Sequence, residues 1–214
     1  GLADFAGTCF PSARWRWDHD LADERVGVLG SAASAVQFVP EIAKQVGQLH
    51  LFQRTANWVL PKDDEPYTEE QLAHFRSDPH AALAVRQAIF DRVDGGMTFH
   101  DPVMLAEMEA AGLANIDVVE DPELRRKLRP RHPYVCKRPL MSNDYYPTFN
   151  RPNVELVTER IERIEPDAVV TADGRRREVD TLIIATGFSA TKYLSALDVR
   201  GRGSRRIDDA TNDG

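Results

Sequence analysis

The fold is decided by residues 25–40, which read RVGVLGSAASAVQFVP. A short apolar run ends in Gly30, and apolar residues recur at helical spacing from Val36 through Val46, which predicts a strand, a tight turn and a helix. Pro40 should kink or shorten this helix. The run Leu49-His50-Leu51-Phe52-Gln53 predicts a second strand, and the resulting βαβ unit requires parallel strands with a right-handed crossover.

The rest of the chain predicts an insertion followed by short strands. Helical patterns separated by turn residues indicate a helical insertion at about 67–128. Strands are expected at 154–157, 162–165 and 168–171, and Asp173-Gly174 predicts a hairpin turn that joins the last of these to a strand ending at Ile184. The predicted fold class is therefore α/β: a Rossmann-like domain with a parallel sheet, a β-meander and a helical insertion. We expect this domain to cover 25–198, after a linker segment at 1–24 and before a flexible tail at 199–214.

The composition of the chain argues against several classes of binding partner. The chain has 214 residues, a formal net charge of -7 and 42% hydrophobic residues, so we expect a globular protein with no nucleic-acid partner, although basic residues cluster at 125–131 and 137–138. The two cysteines, Cys9 and Cys136, lie far apart, which predicts neither a disulfide nor a metal site and favours a cytoplasmic location. No apolar run has the length of a membrane span, so no membrane partner is expected. The first residue is Gly1 and not Met, which suggests a piece of a longer protein.

The turn after the first strand is a candidate dinucleotide site. A glycine-rich turn that leads into a helix lets backbone amides and the positive helix end hold a pyrophosphate. The turn reads Gly30-Ser31-Ala32-Ala33-Ser34-Ala35, and Ala32 stands where the second glycine of G-x-G-x-x-A is expected. A tight connection between strand and helix, without a ligand, is the alternative reading.

The end of the second strand indicates which nucleotide would bind. An NAD site places Asp or Glu there, whereas this strand ends in Phe52-Gln53-Arg54-Thr55. Arg54 could clamp a 2'-phosphate and Thr55 could donate a hydroxyl. A charge-assisted contact of this kind contributes roughly 1.5 to 3 kcal/mol, or about a tenfold to hundredfold preference for NADP(H). The alternative is a solvated surface arginine.

These residues belong to a longer series of motifs that resembles the Baeyer-Villiger monooxygenases. The glycine turn with Gln37 and the stretch FQRTANW at 52–58 match the family, and further matches follow in the same order as in the family. They are CKRPL at 136–140, NDYY at 143–146, FNRPNV at 149–154 and ATGF at 185–188. The resemblance covers the chain from about Phe5 to Phe188.

The resemblance implies that the chain is the NADPH-binding part of a monooxygenase that also holds FAD. In the family, NADPH reduces FAD, the reduced flavin captures O2 as a peroxyflavin, and a ketone is converted to an ester or lactone. Arg138 is then the catalytic residue, a fixed positive charge near the developing anion, and Lys137 lies near the 2'-phosphate with Arg54. Without the FAD segments the chain is expected to be inactive. The implied nucleotide-binding residues are Gly30, Ser31, Ala32, Ala33, Ser34, Ala35, Gln37, Arg54, Thr55, Lys137, Ala185, Thr186 and Gly187.

The family fingerprint, F-x-G-x(3)-H-x(3)-W followed by Pro or Asp, falls on residues 5–16 with two departures. Pro11 replaces the histidine, and Arg16 replaces the Pro or Asp. Two alternatives therefore stay open: an N- or S-oxidising flavin-containing monooxygenase, and a nucleotide-binding module without catalysis. The predicted partners are a small ketone or heteroatom substrate, O2, and the FAD-domain segments of the same protein.

Several polar and aromatic residues are expected to have structural roles only. Asp18, His19 and Asp20 should be solvated surface residues. Trp58, Tyr145 and Tyr146 should pack in the core.

Overall fold

The computed structural model describes residues 1–97, 101–188 and 197–206. The strands are β1 (Thr8–Pro11), β2 (Arg25–Leu29), β3 (Gln48–Phe52), β4 (Val59–Leu60), β5 (Leu140–Met141), β6 (Val154–Val157), β7 (Ile161–Glu165), β8 (Ala168–Thr171), β9 (Arg176–Glu178) and β10 (Thr181–Ile184). The α-helices are α1 (Ala33–Ile42), α2 (Glu69–Ser77), α3 (Pro79–Met97), α4 (Pro102–Ile116) and α5 (Pro122–Leu128), and 3-10 helices cover Leu2–Asp4, Ser12–Arg14, Pro147–Asn150 and Arg202–Ser204. A β2-α1-β3 unit opens the chain's α/β part, four consecutive α-helices follow β4, and strands make up most of the rest.

A five-stranded parallel sheet forms the centre of the fold. Its spatial order is β1-β10-β2-β3-β6, and the predicted βαβ unit is confirmed by the parallel pairing of β2 with β3. Val28 in β2, Leu51 in β3 and Val39 in α1 are each 0% exposed, because the sheet and the helix cover each other's apolar face. Burying one such side chain contributes about 1.5 to 3 kcal/mol.

Helix α1 ends early, as Pro40 predicts. The apolar spacing continues to Val46, but the helix runs only from Ala33 to Ile42 and a series of turns follows. Proline supplies no N–H for the helical ladder, so the helix closes within a few residues of it.

One sequence prediction about the strands is wrong. The turn at Asp173-Gly174 joins β8 to β9, and not to β10. A meander is present, but its third strand is β9 and not the predicted strand ending at Ile184, since β10 lies between β1 and β2 in the parallel sheet. The burial patterns explain the difference: β9 alternates between exposed and buried residues, whereas β10 is buried along nearly its whole length, which is typical of a central parallel strand.

Strand β1 was not predicted. Residues 8–11 lie inside the expected linker, yet they pair in parallel with β10 at the edge of the sheet. The helices α2 to α5 lie within the expected insertion. The division into linker, domain and tail stays a prediction, and its residues 189–196 and 207–214 lie outside the described residues.

A buried polar network joins the parallel sheet to the meander. Arg177 in β9 is 4% exposed and binds Glu155 in β6 through two hydrogen bonds, Nε to Oε2 at 2.9 Å and Nη2 to Oε1 at 2.8 Å. The Nη1 atom of Arg177 donates to Thr171 Oγ1 at 2.8 Å, and His50 Nδ1 lies 2.8 Å from Glu155 Oε2. The two sheets are therefore held in one arrangement by charge-assisted hydrogen bonds.

In the part of the chain that the structure describes, no helix is both long enough and apolar enough to cross a membrane.

Candidate functional site

Gly30 determines the shape of the turn between β2 and α1. Its φ is 107°, and its N–H donates to the Phe52 carbonyl oxygen at 3.0 Å, so the turn is tied to the end of β3. A Cβ at this position would lie 2.5 Å from the Ala185 carbonyl oxygen. Both the backbone angle and the close approach require glycine here.

The missing second glycine is explained by the backbone. Ala32 is the N-cap residue of α1, with φ −92° and ψ −159°, a conformation open to any L-residue. Ala32 and Ala33 are exposed, and no side chain caps the helix. The amides of the first turn therefore face outward without a side-chain partner, as an anion site at a helix end requires.

The other predicted residues of the turn divide into supporting and accessible positions. Ser31 is 6% exposed and Ala35 is 0% exposed, so both pack inside, while Ser34 is half-buried. Gln37 is exposed, and its Nε2 donates to the Ala33 carbonyl oxygen at 2.9 Å. The Gln37 side chain is thus bonded to a carbonyl group of the first turn of α1 and to none of its N–H groups.

Arg54 lies just beyond the end of β3. It is exposed, and its guanidinium has no hydrogen bond or ion pair with any described residue. Gln53 fixes the backbone on which it stands, since the Gln53 N–H donates to Val157 O at 2.8 Å and its side chain donates to Lys127 O at 3.1 Å. Thr55 is half-buried. A free cation on a fixed backbone therefore stands beside the glycine turn.

Asn57 is a site residue that sequence reasoning missed. Its Nδ2 donates to the Ser31 carbonyl oxygen at 3.0 Å, so the loop after β3 is tied directly to the glycine turn. An asparagine in a loop carries no periodicity or turn signal that would single it out. Only the fold brings residues 31 and 57 together.

The segment with Lys137 and Arg138 enters the same region through a second, small sheet. Strands β4 and β5 pair in parallel, with Val59 opposite Leu140, so the residues that precede each strand emerge at the same end. Arg54 and Thr55 precede β4 by a few residues, and Lys137 and Arg138 precede β5 with only residue 139 between. Both basic residues of the second segment are exposed and have no ion pair within the described ranges.

Contacts with Trp58 hold this second segment in place. Trp58 is 4% exposed, its Nε1 donates to the His132 carbonyl oxygen at 3.0 Å, and the ring of Tyr134 meets it edge-on at 5.6 Å. Val135 has a φ of 65°, a region that β-branched residues avoid at a cost of about 1 to 3 kcal/mol. The segment is thus held in a strained conformation just before Lys137.

The positive charge of Lys137 affects the pKa of His132. Burial, and then the positive charge of Lys137, lower the pKa of His132 below its usual value. Its two ring nitrogens are buried and have no partner among the described residues. The lowered pKa favours the neutral imidazole near pH 7.

The motif Ala185-Thr186-Gly187 follows the end of β10. Ala185 is 6% exposed, and its N–H donates to Leu29 O at 2.8 Å, which places the motif against the glycine turn. Thr186 and Gly187 are exposed. No atom of the described residues lies within 4 Å of a Cβ built on Gly187, so its φ of 98°, and not a close approach, accounts for glycine there.

The expected structural residues are mostly confirmed, with one correction. Tyr145 and Tyr146 are 2% and 1% exposed, and Trp58 is buried. His19 is not a solvated surface residue: it is half-buried, and its Nε2 lies 2.9 Å from Thr181 Oγ1. The pairing of β10 with β2 brings Thr181 next to His19. The two residues are far apart in the sequence, so no local pattern predicts this contact.

The two departures from the fingerprint lie on the surface. Pro11 is exposed at the end of β1. Arg16 is exposed and forms two hydrogen bonds of 2.8 Å with the Asp18 carboxylate. Neither residue takes part in the glycine turn.

Comparisons with known proteins agree with this arrangement. A Baeyer-Villiger monooxygenase of Pseudomonas aeruginosa is 39% identical over 217 residues, which cover 100% of this chain and 41% of that protein. This chain is homologous to a part of Baeyer-Villiger monooxygenases. It spans less than half the length of these relatives. No protein-family model matches it.

Solved structures show the same relationship. A cyclohexanone monooxygenase with bound epsilon-caprolactone superposes with a TM-score of 0.81 at 29% identity, over 99% of this chain and 49% of that one. A complex of OTEMO with FAD and NADP superposes with a TM-score of 0.81 at 27% identity, over 100% of this chain and 48% of that one. The predicted Rossmann-like α/β fold is therefore confirmed as that of the NADP-binding region of such monooxygenases.

Proposed function

We propose that this chain is the NADPH-binding part of an FAD-dependent Baeyer-Villiger monooxygenase that inserts an oxygen atom from O2 into a small ketone. One observation carries the proposal. Gly30 is hydrogen-bonded to the last residue of β3, and two residues further on Arg54 stands exposed with no partner among the described residues. The proposed pyrophosphate site therefore lies next to Arg54, the cation proposed to bind the 2'-phosphate.

The proposal assigns each part of the nucleotide to residues of this chain. The outward amides at the start of α1 receive the pyrophosphate, since unpaired N–H groups and the helix dipole favour an anion. Arg54 and Thr55 receive the 2'-phosphate, and Lys137 adds a second positive charge from the opposite segment. Thr186 and Gly187 directly follow Ala185, which lies against the glycine turn, and we place their backbone beside the bound nucleotide.

Arg138 is proposed as the catalytic residue. Its guanidinium is exposed and unpaired within the described ranges, so its charge is available to a ligand. Guanidinium stays protonated across physiological pH and offers several donors. FAD, bound by other parts of the full protein, would supply the oxygen-transfer chemistry, and Arg138 would stabilise negative charge near it.

The nucleotide assignment is tested by titration of NADPH and NADH against the wild type and Arg54→Ala. The wild type should prefer NADPH about tenfold to hundredfold, and the variant should lose most of that preference while its NADH affinity stays constant. Arg202→Ala is the matched control, since Arg202 is also exposed but lies in the 3-10 helix Arg202–Ser204 and not in the loop that follows β3. Equal wild-type affinities for both nucleotides would remove the assignment.

Pro11 favours a second candidate, an N- or S-oxidising flavin-containing monooxygenase. The residue occupies the histidine position of the fingerprint, and proline neither donates a hydrogen bond from its side chain nor titrates. Product analysis of the full-length protein separates the two candidates. An ester from a cyclic ketone supports the first, and sulfoxide or N-oxide as the sole product supports the second. If NADPH is not oxidised although FAD and O2 are present, the protein is a nucleotide-binding module without catalysis.

A further inference from the structure

An open groove of about 640 Å³ lies between α4 and α5, on residues that the proposed nucleotide site does not use. Its floor is apolar and includes Leu113, Ala114 and Ile116 from α4 and Pro122 from α5. A volume of this size falls within the range of about 300 to 1,000 Å³ that is usual for small-molecule sites. We call it the α4–α5 groove.

Three arginines form the wall of the α4–α5 groove, and they are not equivalent. Arg126 is held by Glu123, with Nε to Oε2 at 2.8 Å, so its charge is already compensated. Arg125 and Arg129 have no ion pair or side-chain hydrogen bond among the described residues. Arg125 is half-buried, so a positive charge that lacks a partner sits directly beside an apolar surface.

Asp117 is the one acidic residue among the described residues that line the groove, at the end of α4. It has no ion pair with any described residue and leaves the groove with a net positive wall. Its charge repels an anion, whereas Arg125 and Arg129 attract one. An anionic group in the groove is therefore directed toward α5.

We propose that the α4–α5 groove binds an aliphatic carboxylate. The hydrocarbon chain lies on the floor of α4 residues, and the carboxylate accepts hydrogen bonds from Arg125 and Arg129. Charge complementarity selects this ligand class, because a neutral apolar molecule would leave both guanidiniums unpaired and a short anion would leave the floor exposed to water. The proposal is independent of the nucleotide site.

Calorimetric titration tests the proposal with decanoate below its micelle concentration as the probe. 1-Decanol, which lacks the charge, and acetate, which lacks the chain, are the ligand controls, and both should bind at least about tenfold more weakly. Decanoate should bind equally well with saturating NADP⁺ present, since a fatty anion seated at the α1 amides would be displaced. Failure of decanoate to bind, or equal affinity for 1-decanol, would overturn the proposal.

Substitutions of residues that line the α4–α5 groove test whether decanoate binds there. Arg125→Gln should weaken decanoate binding about tenfold, and Asp117→Asn should strengthen it severalfold because it removes the repelling charge. Arg14→Ala is the matched control: Arg14 is an exposed arginine that does not line the groove, and its variant should bind as the wild type does. Circular dichroism of each variant verifies the fold. Unchanged affinity in both Arg125→Gln and Asp117→Asn would contradict the site.

Discussion

Gly30 and Ala185 lie so close together that a Cβ on Gly30 would stand 2.5 Å from the Ala185 carbonyl oxygen. The two residues are far apart in the sequence, and they meet because β10 lies beside β2 in the parallel sheet. The glycine that shapes the proposed pyrophosphate site is therefore also the residue that lets the motif at 185–187 pass over it.

Gly30→Ala should destabilise the protein by about 3 kcal/mol, since the new methyl group meets backbone and the φ of 107° is unfavourable for alanine. Urea unfolding followed by tryptophan fluorescence measures the loss. The control is Gly174→Ala, where φ is 81° but no atom lies within 4 Å of the added Cβ. That variant should lose only about 1 to 2 kcal/mol, and an equal loss in both would show that the contact with Ala185 has no effect.

Asn57→Ala should weaken NADPH binding about fivefold, because the turn loses its hydrogen bond to the Ser31 carbonyl oxygen. A direct binding titration checks this. Asn150→Ala removes two side-chain hydrogen bonds outside the turn, from Nδ2 to Val118 O at 2.8 Å and from the Glu120 N–H to Oδ1 at 2.9 Å. It should lower the free energy of unfolding by at least as much and leave the NADPH affinity unchanged; a parallel loss of affinity in both variants would argue against a role for Asn57.

Arg177→Met should lower the free energy of unfolding by about 1.5 to 3 kcal/mol, because the half-buried Glu155 carboxylate loses its bidentate partner and keeps only Arg175, at 3.3 Å, and His50. The double variant Arg177→Met with Glu155→Gln should recover part of the loss, since the carboxylate that has lost its main partner is then replaced by a neutral amide. Urea unfolding of the two single variants and the double variant gives the coupling energy. Strictly additive losses would mean that the pair does not hold the two sheets together.

Stability should fall on mild acidification, and His50 should account for part of the effect; His132, whose pKa is also lowered, acts in the same direction. Burial lowers the pKa of His50 below its usual 6.5, against the opposing effect of Glu155. An unfolded histidine binds a proton near that value while the folded one stays neutral, so the free energy of unfolding decreases as the pH falls below about 6.5.

His50→Asn keeps an amide nitrogen near the Nδ1 position and does not titrate. It should therefore lose less stability than the wild type between about pH 7 and pH 5.5, as measured by urea unfolding at each pH. Glu155 does not interfere. Burial raises its pKa, but Arg177 and His50 together lower the pKa below the usual 4.5, so its stabilisation is lost only at lower pH. An identical pH dependence in both proteins would exclude His50 as the source.

The local elements followed from the sequence because they depend on neighbours in the chain. The period of the apolar residues indicated β2, α1 and β3, and Pro40 indicated where α1 would end. The same reasoning placed Arg54 just beyond β3. Strand, turn and helix preferences are set within a few residues, so they can be read without the rest of the molecule.

Local patterns were therefore sufficient for the βαβ unit, for the first two strands of the meander and for the identity of the basic residues near the turn. The strand order depends on the packing of the whole fold, which places β10 in the parallel sheet and not in the hairpin predicted at Asp173-Gly174, and which adds β1 to the sheet. It also decided the contacts from Asn57 to Ser31 and from His19 to Thr181. The strand order and these contacts bring together strands and loops that are distant in sequence. Their arrangement depends on how the whole core is buried, and no local pattern determines it.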